Sequence, residues 1–190
     1  MRHFEKIAEG IDVGPLNAEL AAHPELWNAH ADRKTAPGSP HGGMSDIWLR
    51  FAPPGFVISP ATRWQPFIPV WYPAAKHLPA AKRIAFDLMA KVEGEMLCGV
   101  LITRIPPGGG IASHVDSGWH VASTEKLYVS LKSEPGARFI CEQDGDEVLE
   151  PIRGHCWKFD NRKPHRVENA SATDRVTLIV CIRTQLFGRP

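Results

Sequence analysis

A mainly β fold is predicted here: a double-stranded β-helix (jelly roll, cupin-like) with N-terminal helices packed on one face. Three features of the sequence predict it. Eight short strand-like segments fall between Met96 and Arg183. Turn signals separate several of them: P-P-G-G-G, S-E-P-G-A, D-G-D and D-N-R-K-P. No helical period interrupts them, which favours an antiparallel barrel or jelly roll over a βαβ arrangement.

A length of 190 residues favours one domain, 1–190, and 43% apolar residues are enough to build its core without staples. Within it, 1–96 reads as a helical and loop preface with a supporting strand, and 97–183 as the jelly-roll core. The 22 basic residues against 21 acidic ones give no field that would select a nucleic acid. Met1–Gly10 lacks the apolar run of a secretion signal, and no stretch reaches the roughly 20 apolar residues of a membrane span. A soluble, cytoplasmic protein without a membrane partner is expected; its oligomeric state is not legible. Cys98, Cys141, Cys156 and Cys181 form no C-x-x-C pair and lie in or beside apolar runs, so reduced, buried thiols are expected.

The first 30 residues read as a small helical preface. Gly14-Pro15 opens a helix through Leu16, Leu20 and Ala21 that Pro24 limits, and Leu26-Trp27 is an apolar anchor. Residues 31–45, A-D-R-K-T-A-P-G-S-P-H-G-G-M-S, read as a loop that can fold over a substrate, with His41 a candidate contact. Ile47–Phe51 reads as a strand, closed by Pro53, Pro54 and Gly55. Prolines keep Phe67–Pro73 from being a regular helix or a central strand, so it is a candidate pocket rim. Residues 79–93 give the clearest helix, with Pro79 at its start and Ile84, Leu88 and Val92 on one stripe beside Ala81, Ala85 and Met89. The strands then follow at Met96–Ile105, Ile111–Val115, Lys126–Leu131, Ala137–Glu142, Glu147–Pro151, Cys156–Phe159, His165–Glu168 and Arg175–Arg183.

The chemistry concentrates in this core. His114 and Asp116 are two residues apart, so on a regular strand they share a face, with Val115 turned the other way into packing. His165 reaches them only through the fold. Two imidazoles and one carboxylate on one side of a metal leave other positions open, a set suited to non-haem Fe(II) with a bidentate cosubstrate and O2. A cation also compensates a buried carboxylate. Arg175, at the start of a long apolar strand, can grip the distal carboxylate of a 2-oxoacid through two parallel hydrogen bonds, and Thr103 can add a hydroxyl donor. Lys126 and Tyr128 share a strand face and can contact a carboxylate near iron.

The runs R-I-P-P-G-G-G-I-A-S-H-V-D-S-G, K-L-Y-V-S-L, G-H-C-W-K-F-D and H-R-V-E-N-A-S-A-T-D-R-V-T-L-I-V resemble the aspartyl/asparaginyl beta-hydroxylase-like family of Fe(II)- and 2-oxoglutarate-dependent dioxygenases. The step of ten residues from His165 to Arg175 also resembles that family's step from distal iron histidine to cosubstrate arginine. The resemblance implies Fe(II), 2-oxoglutarate and O2 as cofactor and cosubstrates. It places iron on His114, Asp116 and His165, and 2-oxoglutarate on Arg175 and Thr103. Lys126 and Tyr128 fall near positions used for polar contacts, although the protein-modifying branch has R-x-H where this chain has Lys126-Leu127-Tyr128. That branch also carries glycine in place of Asp116, which argues against transferring its epidermal-growth-factor-like substrate. The implied reaction is hydroxylation of an unactivated carbon of an amino acid, free or in a peptide. Trp119, His120, Arg166 and Trp71 are candidate substrate contacts. A cupin-type metalloenzyme without 2-oxoglutarate, or a noncatalytic jelly-roll binding module, would keep the same core without needing Arg175.

Overall fold

In a computed structural model, which describes residues 1–30, 39–56 and 58–184, the chain forms two facing antiparallel sheets with helices behind the larger one. In chain order the strands are β1 (Phe4–Ala8), β2 (Ser45–Phe51), β3 (Val70–Trp71), β4 (Met96–Ile105), β5 (Gly110–His114), β6 (Glu125–Lys132), β7 (Ala137–Cys141), β8 (Glu147–Leu149), β9 (Cys156–Phe159), β10 (His165–Asn169) and β11 (Arg175–Arg183). The helices are α1 (Gly14–Ala22), α2 (Pro79–Lys91) and the single turn α3 (Trp119–Ala122).

The larger sheet runs β1-β9-β6-β11-β4-β2-β3 and the smaller β5-β10-β7-β8. From β4 onward the chain passes repeatedly between the two sheets, which winds it into a double-stranded β-helix. The mainly β jelly roll with N-terminal helices on one face is therefore the observed fold.

Strand β11 shows how the layers form. Val176, Leu178, Val180 and Ile182 point to the helix side, where Ile84, Ala85 and Leu88 of α2 share one apolar core with Leu16 and Leu20 of α1. Fully burying each such aliphatic side chain contributes about 1.5–3 kcal/mol. Of the alternate residues, Arg175 and Thr177 share a cavity with Phe139, His165 and Val167 of the smaller sheet. Beside it lies a second core of Phe4, Ile105, Phe139, Phe159 and Val167. Ile179 and Cys181 join a third cluster with Cys98 and Leu101. Two polar residues on the inner face of an otherwise apolar central strand mark where a ligand would sit. All four cysteines are free and buried.

The first 30 residues contain more than helix. β1 adds to the edge of the larger sheet, pairing Phe4 with Phe159, and the two rings stack at 5.1 Å. Only Phe4 in F-E-K-I-A is deeply buried, so the segment lacks the alternation that betrays a strand. Of the expected 31–45 loop, residues 31–38 lie outside the described residues; 39–44 turn into β2, with Met44 and His41 buried. Val70–Trp71 forms a two-residue edge strand against β2, a place where flanking prolines are tolerated. β5 ends at His114, and Val115 is half exposed instead of turned into packing. Beyond β5, the chain is free of the pleat that would have sent Val115 inward.

Candidate metal centre and its cavity

Two strands of the smaller sheet carry the imidazoles. β10 pairs antiparallel with β5 so that His165 lies directly opposite His114, which puts both rings on one face, 4.2 Å apart. Gly110 permits this approach: a Cβ there would stand 2.6 Å from Val167 O. In each histidine, Nδ1 lies 2.8 Å from a backbone carbonyl, Ala112 O for His114 and Lys163 O for His165. That contact commits the Nδ1 proton to the carbonyl and leaves the Nε2 lone pair to face the cavity, as in metal-ligating histidines. Burial pushes His165 down to about 4, opposed by the Lys163 carbonyl and reinforced by His114, so its ring is neutral near pH 7.

Asp116 stands beyond the end of β5, and two other segments hold it. Its Oδ2 accepts from Lys126 Nζ at 2.6 Å and from Asn161 Nδ2 at 2.6 Å, while its backbone N–H donates to Asn161 O at 3.0 Å. Its Oδ1 turns to His114 Nε2, 3.5 Å away. Burial alone would favour protonation, yet the Lys126 ammonium and the Asn161 amide outweigh it and hold the carboxyl well below the usual carboxylate range. One oxygen is thus fixed by the protein and the other is presented beside the imidazole.

Lys126 and Tyr128 do share a face of β6, both lining the cavity. The Lys126 ammonium donates to Asp116, a carboxylate of the candidate metal centre, and this pairing raises its pKa despite burial. Asn161 was not singled out in the sequence. Its only signal there was its place in the D-N-R-K-P turn just before His165.

Arg175 and Thr103 line the same cavity from β11 and β4, both nearly inaccessible to solvent. Arg175 Nε is buried and has no hydrogen-bond partner among the described residues. Burial lowers this guanidinium to about 10, so it is charged at neutral pH. A buried cation with an orphaned N–H wants an anion.

His41 is the second residue the sequence underweighted. Single donor atoms of His41, His114 and Asp116 all lie within 4.8 Å of one another, and the His41 ring meets His114 edge-on at 5.1 Å. That trio is a two-histidine, one-carboxylate donor set able to hold a metal; the sequence-predicted His165 lies outside this tight group, its ring centroid 4.2 Å from that of His114.

The four substrate candidates separate. Trp119, on α3, lines a larger cavity of about 400 Å³ that shares Lys126 with the donor cavity. His120 packs edge-on against Phe51 at 5.2 Å, next to the Phe67–Trp119 pair. Arg166 is not brought to the site. It neighbours His165 on a strand and so points outward, where it pairs with Glu142, Asp146 and Glu168. Trp71 is also elsewhere: it packs on the helix-side core with Arg50 and Lys82 over its ring. No described helix is long and apolar enough to cross a membrane.

With this geometry established, comparison with known proteins narrows the chemistry. A family model described as Aspartyl/Asparaginyl beta-hydroxylase matches residues 56–184. No curated protein sequence matches. Among solved structures, a prolyl hydroxylase from Trichoplax adhaerens, in complex with a hypoxia inducible factor peptide fragment, superposes with a TM-score of 0.61 at 11% identity, covering 96% of this chain and 84% of the other. A Pseudomonas putida prolyl-4-hydroxylase gives 0.53 at 16% identity, covering 96% and 94%. A 2OG-Fe(II) oxygenase family oxidoreductase from Burkholderia pseudomallei gives 0.54 at 13% identity, covering 77% and 70%. At these identities the likeness is one of fold.

Proposed function

The chain belongs to the aspartyl/asparaginyl beta-hydroxylase family, within the 2-oxoglutarate- and Fe(II)-dependent oxygenases, and from that premise we propose that it hydroxylates an unactivated carbon of an amino acid, free or in a peptide. We assign the metal to His114, Asp116 and His165, and the distal carboxylate of 2-oxoglutarate to Arg175 with Thr103 beside it. One observation carries this assignment: inward-facing imidazoles and a carboxylate oxygen share a single cavity with a buried guanidinium whose Nε is unpartnered.

His165 is preferred to His41 as the second imidazole because it is built into the sheet, directly opposite His114, with Nδ1 already anchored. Fe(II) and 2-oxoglutarate bound here supply activation of O2 coupled to oxidative decarboxylation. The residues do the rest. Lys126 and Asn161 keep Asp116 ionised and leave one oxygen for the metal. Arg175 fixes the direction in which a dicarboxylate enters. Ile111, Phe139, Val167 and Ile179 keep the cavity walls apolar, which excludes water from a reactive centre.

The 400 Å³ cavity is the proposed substrate chamber, and its size suits an amino acid or the tip of a peptide. Of its cations, Lys126, Lys158 and Arg162 already face carboxylates. Arg183 Nε has no hydrogen-bond partner among the described residues, which supports recognition of a substrate carboxylate.

The test is turnover with Fe(II), 2-oxoglutarate and pooled amino acids and short peptides under isotope-labelled O2. The expected result is succinate formed one-for-one with a product carrying a labelled oxygen. Binding of metal without any binding of 2-oxoglutarate would instead point to a cupin-type metalloenzyme of another class.

A further inference from the structure

With no partner at Nε among the described residues, the Arg175 guanidinium takes its direction from its backbone. That backbone stands at the start of β11, where pairing is one-sided. Arg175 faces Ile105 of β4, while pairing with β6 begins only at Val176. Local opening costs least at such ends, so the aim of the arginine needs a further restraint.

Asn169, the last residue of β10, supplies it. It is 1% exposed, and both polar atoms of its amide are used. Nδ2 donates at 2.9 Å to the carbonyl of Ile105, the strand partner of Arg175, and at 2.9 Å to that of Thr173, two residues before Arg175. Oδ1 accepts from Ser171 N–H at 3.3 Å and from Ser171 Oγ at 2.6 Å, which fixes the way the amide faces. On the main chain, Asn169 N–H donates to Gly109 O at 2.9 Å and its carbonyl accepts from Gly108 N–H at 2.7 Å. The end of β4, the turn into β5 and the turn into β11 thus meet on one residue. An ionised Asp there offers no donor, and Gln carries its amide one methylene further out.

We propose that Asn169 is a positioning residue for the cosubstrate: its amide holds the start of β11 so that Arg175 meets the distal carboxylate of 2-oxoglutarate. Asn169 does not line the cavity and acts through Arg175. This rests on the assignment of 2-oxoglutarate to Arg175 above. His165 stands at the other end of β10, roughly 13 Å along the strand. There it is paired with β5 on one side and β7 on the other. Loosening the Asn169 end therefore moves the arginine and leaves the metal centre in place.

The experiment is anaerobic titration of the Mn(II)-loaded full chain with 2-oxoglutarate and with 2-oxopentanoate, which keeps the chelating end and lacks the distal carboxylate. Wild type is compared with Asn169→Ala, Arg175→Met and the double variant. Asn169→Ala is expected to bind 2-oxoglutarate about ten-fold more weakly, part of the roughly 100-fold carried by the whole Arg175 contact. Its affinities for Mn(II) and 2-oxopentanoate are expected to be unchanged. In the Arg175→Met background the same substitution is expected to lose no further 2-oxoglutarate affinity, because the residue it acts through is gone. A general structural role would weaken all three ligands and persist in the double variant; either result overturns the proposal. Unchanged 2-oxoglutarate binding in Asn169→Ala, with weakened binding in Arg175→Met, overturns the proposal and keeps the cosubstrate assignment. If Arg175→Met binds 2-oxoglutarate normally, the assignment falls and the proposal with it. Where Asn169→Ala does not fold, Ser171→Ala decides on the same readouts: it removes the shortest contact to the amide, with about three-fold weaker 2-oxoglutarate binding expected.

Discussion

Replacing Lys126 by methionine isolates the electrostatics that hold the proposed iron carboxylate. The ammonium lies 2.6 Å from Asp116 Oδ2, and both side chains are less than a fifth exposed. At an effective dielectric near 20 such a contact carries about 6 kcal/mol of gross attraction. Desolvation of both groups opposes it, and removing one member of a buried pair costs about 3–5 kcal/mol because the other charge is stranded. Methionine keeps much of the packing of the lysine stem, and Asn161 still donates to the carboxylate, so the low end applies. Lys126→Met in metal-free protein is therefore expected to lose about 3 kcal/mol. For a chain of 190 residues that lowers Tm by about 6–12 °C. A divalent cation beside Asp116 replaces the missing charge, so saturating Mn(II) is expected to stabilise the variant more than the wild type. Urea unfolding followed by tryptophan fluorescence, with chelator and then with Mn(II), reads both effects. A loss under about 0.5 kcal/mol without metal, or equal stabilisation of the two proteins by Mn(II), would refute the reasoning.

Two further substitutions probe the cosubstrate anchor and the strand pairing. Arg175→Met is expected to weaken 2-oxoglutarate binding by about 100-fold, the size of a lost bidentate charge-assisted contact, with Mn(II) affinity unchanged in parallel titrations. The same variant should be no less stable than wild type without cosubstrate, because it removes a buried charge that has no counter-ion among the described residues; a thermal melt checks this. Gly110→Ala is expected to cost about 1–3 kcal/mol and to weaken Mn(II) binding, since the new methyl meets Val167 O and forces β5 from β10 where they align the two histidines. A neutral effect on both would mean that the β5–β10 spacing does not set the site.

Much of the core was legible because its signals are local. β4, β9 and β11 begin and end where alternation and turn residues place them, and α2 carries the expected stripe with Ile84, Ala85 and Leu88 buried. That His114, His165 and Arg175 sit on strands and line one cavity was legible from strand pattern together with the family resemblance. What was not legible depends on tertiary contact. β1 is an edge strand with one buried aromatic, so it shows no period of its own. His41 and Asn161 are single polar residues in turns, and only the fold brings them to Asp116 and His114. The register of β6 said where Lys126 points, toward a carboxylate of the site, and only the fold shows that this carboxylate is Asp116. Arg166 was misread for a reason visible in the sequence: adjacent to an inward-facing His165 on a strand, it had to face outward.

The most direct measurement is an anaerobic crystal structure of the full chain with Mn(II) and 2-oxoglutarate. Expected is one ion on His114 Nε2, Asp116 Oδ1 and His165 Nε2, with the distal carboxylate of 2-oxoglutarate across the cavity on Arg175. An ion held by His41, His114 and Asp116 with His165 uncoordinated, or 2-oxoglutarate bound away from Arg175, would contradict it.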